Sequence, residues 1–221
     1  MAKNRIRGPL ITLAAVAALG GGLWFMNVSQ ETADAPPGKP VAESTTTVAP
    51  APPPAPSTPP PVAFPAKADY VGKIPTAAGV ITLEITVNGS KAIAYACDGN
   101  TVEVWLKGSA TNGALSLASK DKASRLEGRL QGASVVGTLS IREKKWDFTT
   151  APVAPPAGLY VYEDDGVRNS WIVDANGAVT GVQRRADGTT APAPGLSPEG
   201  TAVLDGQTVT ATPVDGDDDV I

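Results

Sequence analysis

The chain has 221 residues, with 18 Lys+Arg against 22 Asp+Glu, one Cys, no His and a net charge of −4. Without His there is no Ser-His-Asp triad, no Cys-His dyad, no His-ligated zinc and no His pH switch. A single Cys permits neither an internal disulfide nor a Cys-built metal site.

Residues 1–8 carry Lys3, Arg5 and Arg7 and no acid, and no charge follows from Gly8 to Gln30. Residues 9–28 are long enough, at about 1.5 Å per helical residue, to cross a hydrocarbon core roughly 30 Å thick. Trp24 and Phe25 fall near the far interface, where aromatic rings are favoured. The reading is one transmembrane helix over 9–28, held by membrane lipid. The basic residues 1–8 stay cytoplasmic and the remainder lies outside the cell membrane. The rival is a cleaved signal peptide with a small-x-small site at Ala33-Asp34-Ala35. Pro36 directly after that site fits extended cleavage poorly.

Twelve of the 21 prolines fall between Ala35 and Pro65. Such a segment cannot pack a core, so residues 29–66 read as a disordered, semi-rigid linker. Extended as polyproline II, the stretch from Ala35 to Pro65 reaches on the order of 90 Å.

From about Tyr70 the pattern becomes apolar-polar alternation broken by turn signals. Gly79–Val87, Lys91–Cys97, Thr101–Lys107, Ala114–Ala118, Arg125–Leu130, Ser134–Arg142 and Lys145–Thr149 read as serial strands, with Trp146 and Phe148 facing inward. Asn88-Gly89 and Asn112-Gly113 mark hairpins. Gly128 and Gly137 mark places where strands bend or approach closely. Residues 67–150 therefore form an antiparallel β module, and Ala151–Pro156 interrupts it.

A second β segment, 151–214, runs through Leu159–Tyr162, Ser170–Val173, Val179–Gln183, Thr201–Leu204 and Thr208–Thr212, with an irregular loop at Thr189–Glu199. It is short and poor in aromatics, so it is expected to pack on the first module. Residues 215–221 read as an acidic disordered tail. The fold class is mainly β: an antiparallel meander, curled into a small barrel or a sandwich.

Residues 31–221 carry 15 basic and 22 acidic side chains, which disfavours nucleic acid as a partner. Glu163-Asp164-Asp165-Gly166 and the Asp215–Asp219 run lack the oxygen spacing of a calcium loop, so no metal is expected. Cys97 shares a strand face with Ile93 and Tyr95 and has Asp98 beside it, which describes a buried, unreactive thiol. Alternation puts Trp105 among Thr101, Glu103 and Lys107 on the polar side of its strand. An outward indole marks a contact surface, to which Trp171 is added.

Several segments carry a resemblance: Ala94-Tyr95-Ala96-Cys97-Asp98-Gly99, Glu103-Val104-Trp105-Leu106-Lys107-Gly108, Trp146-Asp147-Phe148, Gly158-Leu159-Tyr160 and Ser170-Trp171-Ile172-Val173. With the anchor-and-linker layout, these resemble a family of actinobacterial, mainly mycobacterial, proline-rich single-pass membrane proteins of unknown function. The resemblance implies a cell-envelope protein and brings no catalytic motif.

The reading of function is a membrane-anchored, non-enzymatic β domain with no cofactor, contacting an envelope protein or glycan through Trp105 and Trp171. The alternative is a carrier for a small apolar ligand or lipid, housed in a barrel cavity.

Overall fold

The computed structural model describes residues 62–220. The expected cytoplasmic tail, membrane span and most of the linker lie outside the described residues. No described residue is helical.

Eight antiparallel strands form a closed barrel in chain order. They are β1 (Lys67–Thr76), β2 (Gly79–Asn88), β3 (Lys91–Cys97), β4 (Glu103–Thr111), β5 (Ala114–Ala118), β6 (Ser124–Gln131), β7 (Ser134–Ile141) and β8 (Lys144–Val153). Closure pairs Asp69, Tyr70 and Val71 of β1 with Val153, Pro152 and Ala151 of β8. The first half of the stretch expected to interrupt the pattern, residues 151–153, thus completes the closing strand, and the chain leaves the sheet only after Val153. The strand signal of β1 is weak in the sequence, because Pro75 and the two-sided apolar pair Tyr70-Val71 blur its alternation.

Residues on the lumen face fill most of the interior. Leu83, Leu106, Leu126, Leu139 and Phe148 are each at most 5% exposed. On β3 the small side chains Ala92, Ala94 and Ala96 face the lumen. The larger Ile93, Tyr95 and Cys97 face away from it. Gly137 on β7 permits a tight bend, because a Cβ there would lie 2.1 Å from the Glu127 carbonyl oxygen of β6.

A five-stranded sheet lies against the outer face of the barrel. Its strands are β9 (Gly158–Asp164), β10 (Val167–Val173), β11 (Val179–Arg184), β12 (Thr190–Pro192) and β15 (Thr212–Pro213), in the order β12-β11-β10-β9-β15. Leu159, Ile172, Val182 and Val214 pack on Val71, Ile93, Tyr95, Cys97 and Trp105 of the barrel. The hairpin β13 (Thr201–Leu204) and β14 (Gln207–Thr210) joins a third core around Trp171 and Leu196. β12 forms inside the loop expected to be irregular, and an isolated bridge joins Leu196 to Ala202.

The described part of the acidic tail, residues 215–220, packs against the barrel. Asp215 pairs with Lys67, and Asn88 Nδ2 donates to Asp217 at 2.7 Å. Lys107 Nζ donates to the Asp218 carbonyl at 2.6 Å and reaches Asp219 at 3.2 Å. Gly216 lies against β2, where a Cβ would meet the Asn88 nitrogen at 2.6 Å. The cations that hold the tail come from distant strands, so its docking could not be read locally.

Candidate functional site

In a meander every second turn lies at the same end. The β2–β3, β4–β5 and β6–β7 turns share one end of the barrel, and residues 62–66 cross it. Phe64 packs edge-on against Tyr70, with ring centroids 6.1 Å apart. The Ala66 carbonyl accepts the Gly89 N–H at 2.7 Å. That end is closed.

The opposite end is open. It is formed by the β1–β2, β3–β4, β5–β6 and β7–β8 connections, and it holds a cavity of about 1570 Å³. Ile81, Val104, Ser124, Ile141 and Trp146 line its inner wall. Beneath them lies the leucine-rich core. The loops are held by their own side chains: Asp98 Oδ1 accepts the backbone N–H groups of Asn100, Thr101 and Val102 at 2.8–2.9 Å. Asp121 accepts the Ala123 N–H at 3.0 Å.

One side of the mouth meets the second sheet, where a charged cluster forms. The Glu103 side chain is 1% exposed. Its Oε1 accepts from Trp105 Nε1 at 3.2 Å and from Ser170 Oγ at 3.3 Å. Arg168 lies 3.8 Å from Oε1 and Arg184 lies 3.6 Å from Oε2. The Arg168 guanidinium also sits 5.0 Å from the Trp105 ring centroid. Trp105 in turn packs on Tyr95 at 4.6 Å. The Tyr95 hydroxyl, Glu103 Oε2 and Arg168 Nε are buried without a hydrogen-bond partner.

The two expected contact residues are corrected by this arrangement. Trp105 does point away from the lumen, but the second sheet covers it to 5% exposure. Trp171 is fully buried in a different core, where its Nε1 donates to the Pro194 carbonyl at 2.7 Å. Only the edge of Trp105 reaches the side of the mouth, Trp171 offers no surface, and the structure does not bring the two indoles together. Trp146 faces inward as its alternation predicts, at the mouth.

Cys97 is buried, its thiol pushed up to about 12 by desolvation, with Sγ 3.9 Å from the Thr180 carbonyl. Glu163–Gly166 is the β9–β10 turn, with Asp165 and Gly166 at positive φ. Among the described residues no cluster of acids and Cys is arranged to hold a metal ion.

Sequence reasoning missed Glu103, Arg168 and Arg184 as a group. Its one trace was the basic pair Arg184-Arg185 at a strand end on an acidic domain.

No family model matches the chain, and no curated protein does. Among solved structures, a chain from Nitrosomonas europaea that carries the provisional name AttH is 12% identical, covering 67% of this chain and 76% of its own, with a TM-score of 0.21. An overlap that loose carries neither fold nor function across.

Proposed function

We propose that this domain is a non-enzymatic binding cup that takes one small apolar or amphipathic ligand at the open end of the barrel. The observation that carries the reading is the cavity of about 1570 Å³ over an apolar floor, at the one barrel end that no segment covers among the described residues. Small-molecule sites are concave, mostly apolar and edged by a few polar groups; this opening is wider than such sites usually are, so a ligand would occupy part of it. An eight-stranded barrel has a lumen wide enough for side chains or one small ligand. Here side chains fill the deep part, which leaves the mouth.

The first expectation, a protein or glycan contact surface, rests on the anchored architecture, and the burial of Trp105 and Trp171 removes the two residues named for it. The anchor at 9–28 and the proline linker belong to the proposal as well: they display the cup on the far side of the membrane from the basic N-terminus.

The test uses the full chain in phosphatidylcholine nanodiscs and the uncharged fluorophore N-phenylnaphthylamine. The expected result is saturable emission above that of empty discs, abolished by Val104→Trp, which fills the mouth. Emission equal to empty discs would overturn the proposal.

A further inference from the structure

The rim of the cup carries an excess of positive charge. Residues 62–220 hold 14 basic and 19 acidic side chains, a net of −5. Yet the cavity is lined by Lys120, Arg142, Lys144, Lys145, Arg168 and Arg184 against four acids. The mouth is positive on a domain that is otherwise strongly negative.

These cations differ in how far they are already engaged. Among the described residues no ion pair involves Lys120, Arg142, Lys144 or Lys145. Arg168 is committed: it covers Trp105, faces Glu103, and its NH1 donates to the Val220 carbonyl at 2.8 Å. Arg184 is not. Its side chain is 47% exposed, and its contact to Glu103 at 3.6 Å is too long for a hydrogen bond. One buried carboxylate thus faces two guanidiniums, and the cluster keeps one positive charge in excess.

We infer that the cup selects a single-chain amphiphile with an anionic carboxylate or phosphate head, read by Arg184 on the β3–β4 side of the mouth, with Lys144 and Lys145 across the opening beside the β7–β8 turn. The inference rests on the binding-cup reading and names its ligand class. The chain lies on the wall of Ile81, Val104, Ile141 and Trp146. The head meets a planar guanidinium whose donor fork matches a carboxylate or phosphate. Glu103 acts as a positioning residue: buried and fixed by Trp105 and Ser170, its carboxylate attracts the Arg184 guanidinium at 3.6 Å and keeps it near the mouth without consuming its donors. Lys144 and Lys145, at the start of β8, draw anions toward the opening. A cationic amphiphile is repelled, and an uncharged one gains nothing from the rim.

The experiment is equilibrium dialysis of radiolabelled dodecanoate, dodecyl phosphate and dodecanol, each below its micelle-forming concentration. The protein is the full chain in phosphatidylcholine nanodiscs, with empty discs as the blank. Both anions are expected to bind at least about tenfold tighter than dodecanol, as charge-assisted pairing implies. Arg184→Gln should bring the anions down to the level of dodecanol without changing dodecanol itself. The exposed double variant Lys144→Gln/Lys145→Gln, which burial does not tie to folding, should weaken the anions by a smaller factor. Millimolar inorganic phosphate should not displace dodecyl phosphate; displacement would mean a free-anion site and overturn the inference. Equal affinity for dodecanol and the anions would overturn it too, as would anion binding unchanged in both variants. If none of the three binds above the blank, the cup itself fails, and this inference with it.

Discussion

Glu84 and Tyr95 stand opposite each other across β2 and β3, both fully buried on the outer face of the barrel, and neither the carboxyl nor the hydroxyl has a hydrogen-bond partner. An unpaired carboxylate is costly to bury, so the group holds its proton instead. Burial, aided by the nearby Asp69, pushes the Glu84 acid well above the usual carboxylate range.

Stability should therefore fall as the solution becomes more alkaline. In the unfolded chain Glu84 ionises near 4.5. Above that pH the unfolded state has released a proton that the folded state still holds, so the unfolded state gains and stability drops. Asp69, raised by partial burial, acts in the same direction. Urea midpoints at about pH 5 and about pH 7.5 should show the decline, and Glu84→Gln should flatten most of it. An unchanged slope in the variant would assign the effect to other groups.

The lone thiol should be inert in the folded state. Cys97 is fully buried and its thiol is pushed up to about 12, so almost no thiolate exists at neutral pH. Ellman's reagent should label the protein only after denaturant is added. Rapid labelling of the native chain would place the sulfur at a surface.

The tail should contribute to stability through Arg168. Removing residues 215–221 takes the Val220 carbonyl from a guanidinium whose Nε already lacks a partner. A loss of about 1–2 kcal/mol is expected, measured from the shift in urea midpoint. The exposed pair of Lys67 and Asp215 adds little, because solvent screens it. Wild-type stability in the truncated chain would make the docking incidental.

Gly137→Ala should damage the barrel although it adds one methyl group. The new Cβ would lie 2.1 Å from the Glu127 carbonyl oxygen and 2.6 Å from the Gly128 Cα, and neither can swing aside as a side chain can. A destabilisation of about 1–3 kcal/mol is expected, seen as a lower melting temperature. The control Gly195→Ala adds its Cβ into open space without a positive φ and should leave the melting temperature nearly unchanged.

Local chemistry was enough to locate most strands and turns. Alternation of side chains is a property of an extended backbone, and Asn112-Gly113 takes the positive φ at both positions that its hairpin needs. The same alternation placed Trp146 and Phe148 in the lumen and Trp105 outside it. What alternation cannot tell is whether an outward face meets water or another sheet. Glu84, Tyr95 and Trp105 all point away from the barrel, and all are buried because residues 158–213, far along the chain, fold over them. The mouth has the same origin. Its cations sit in or beside alternate turns, Lys120 at one and Arg142, Lys144 and Lys145 at another, and only closure of β1 on β8 gathers those turns into a ring. Arg184 joins them from a separate sheet. Period and turn type follow from neighbours in the chain, whereas burial and the charge of a site depend on what the finished fold brings within a few ångströms.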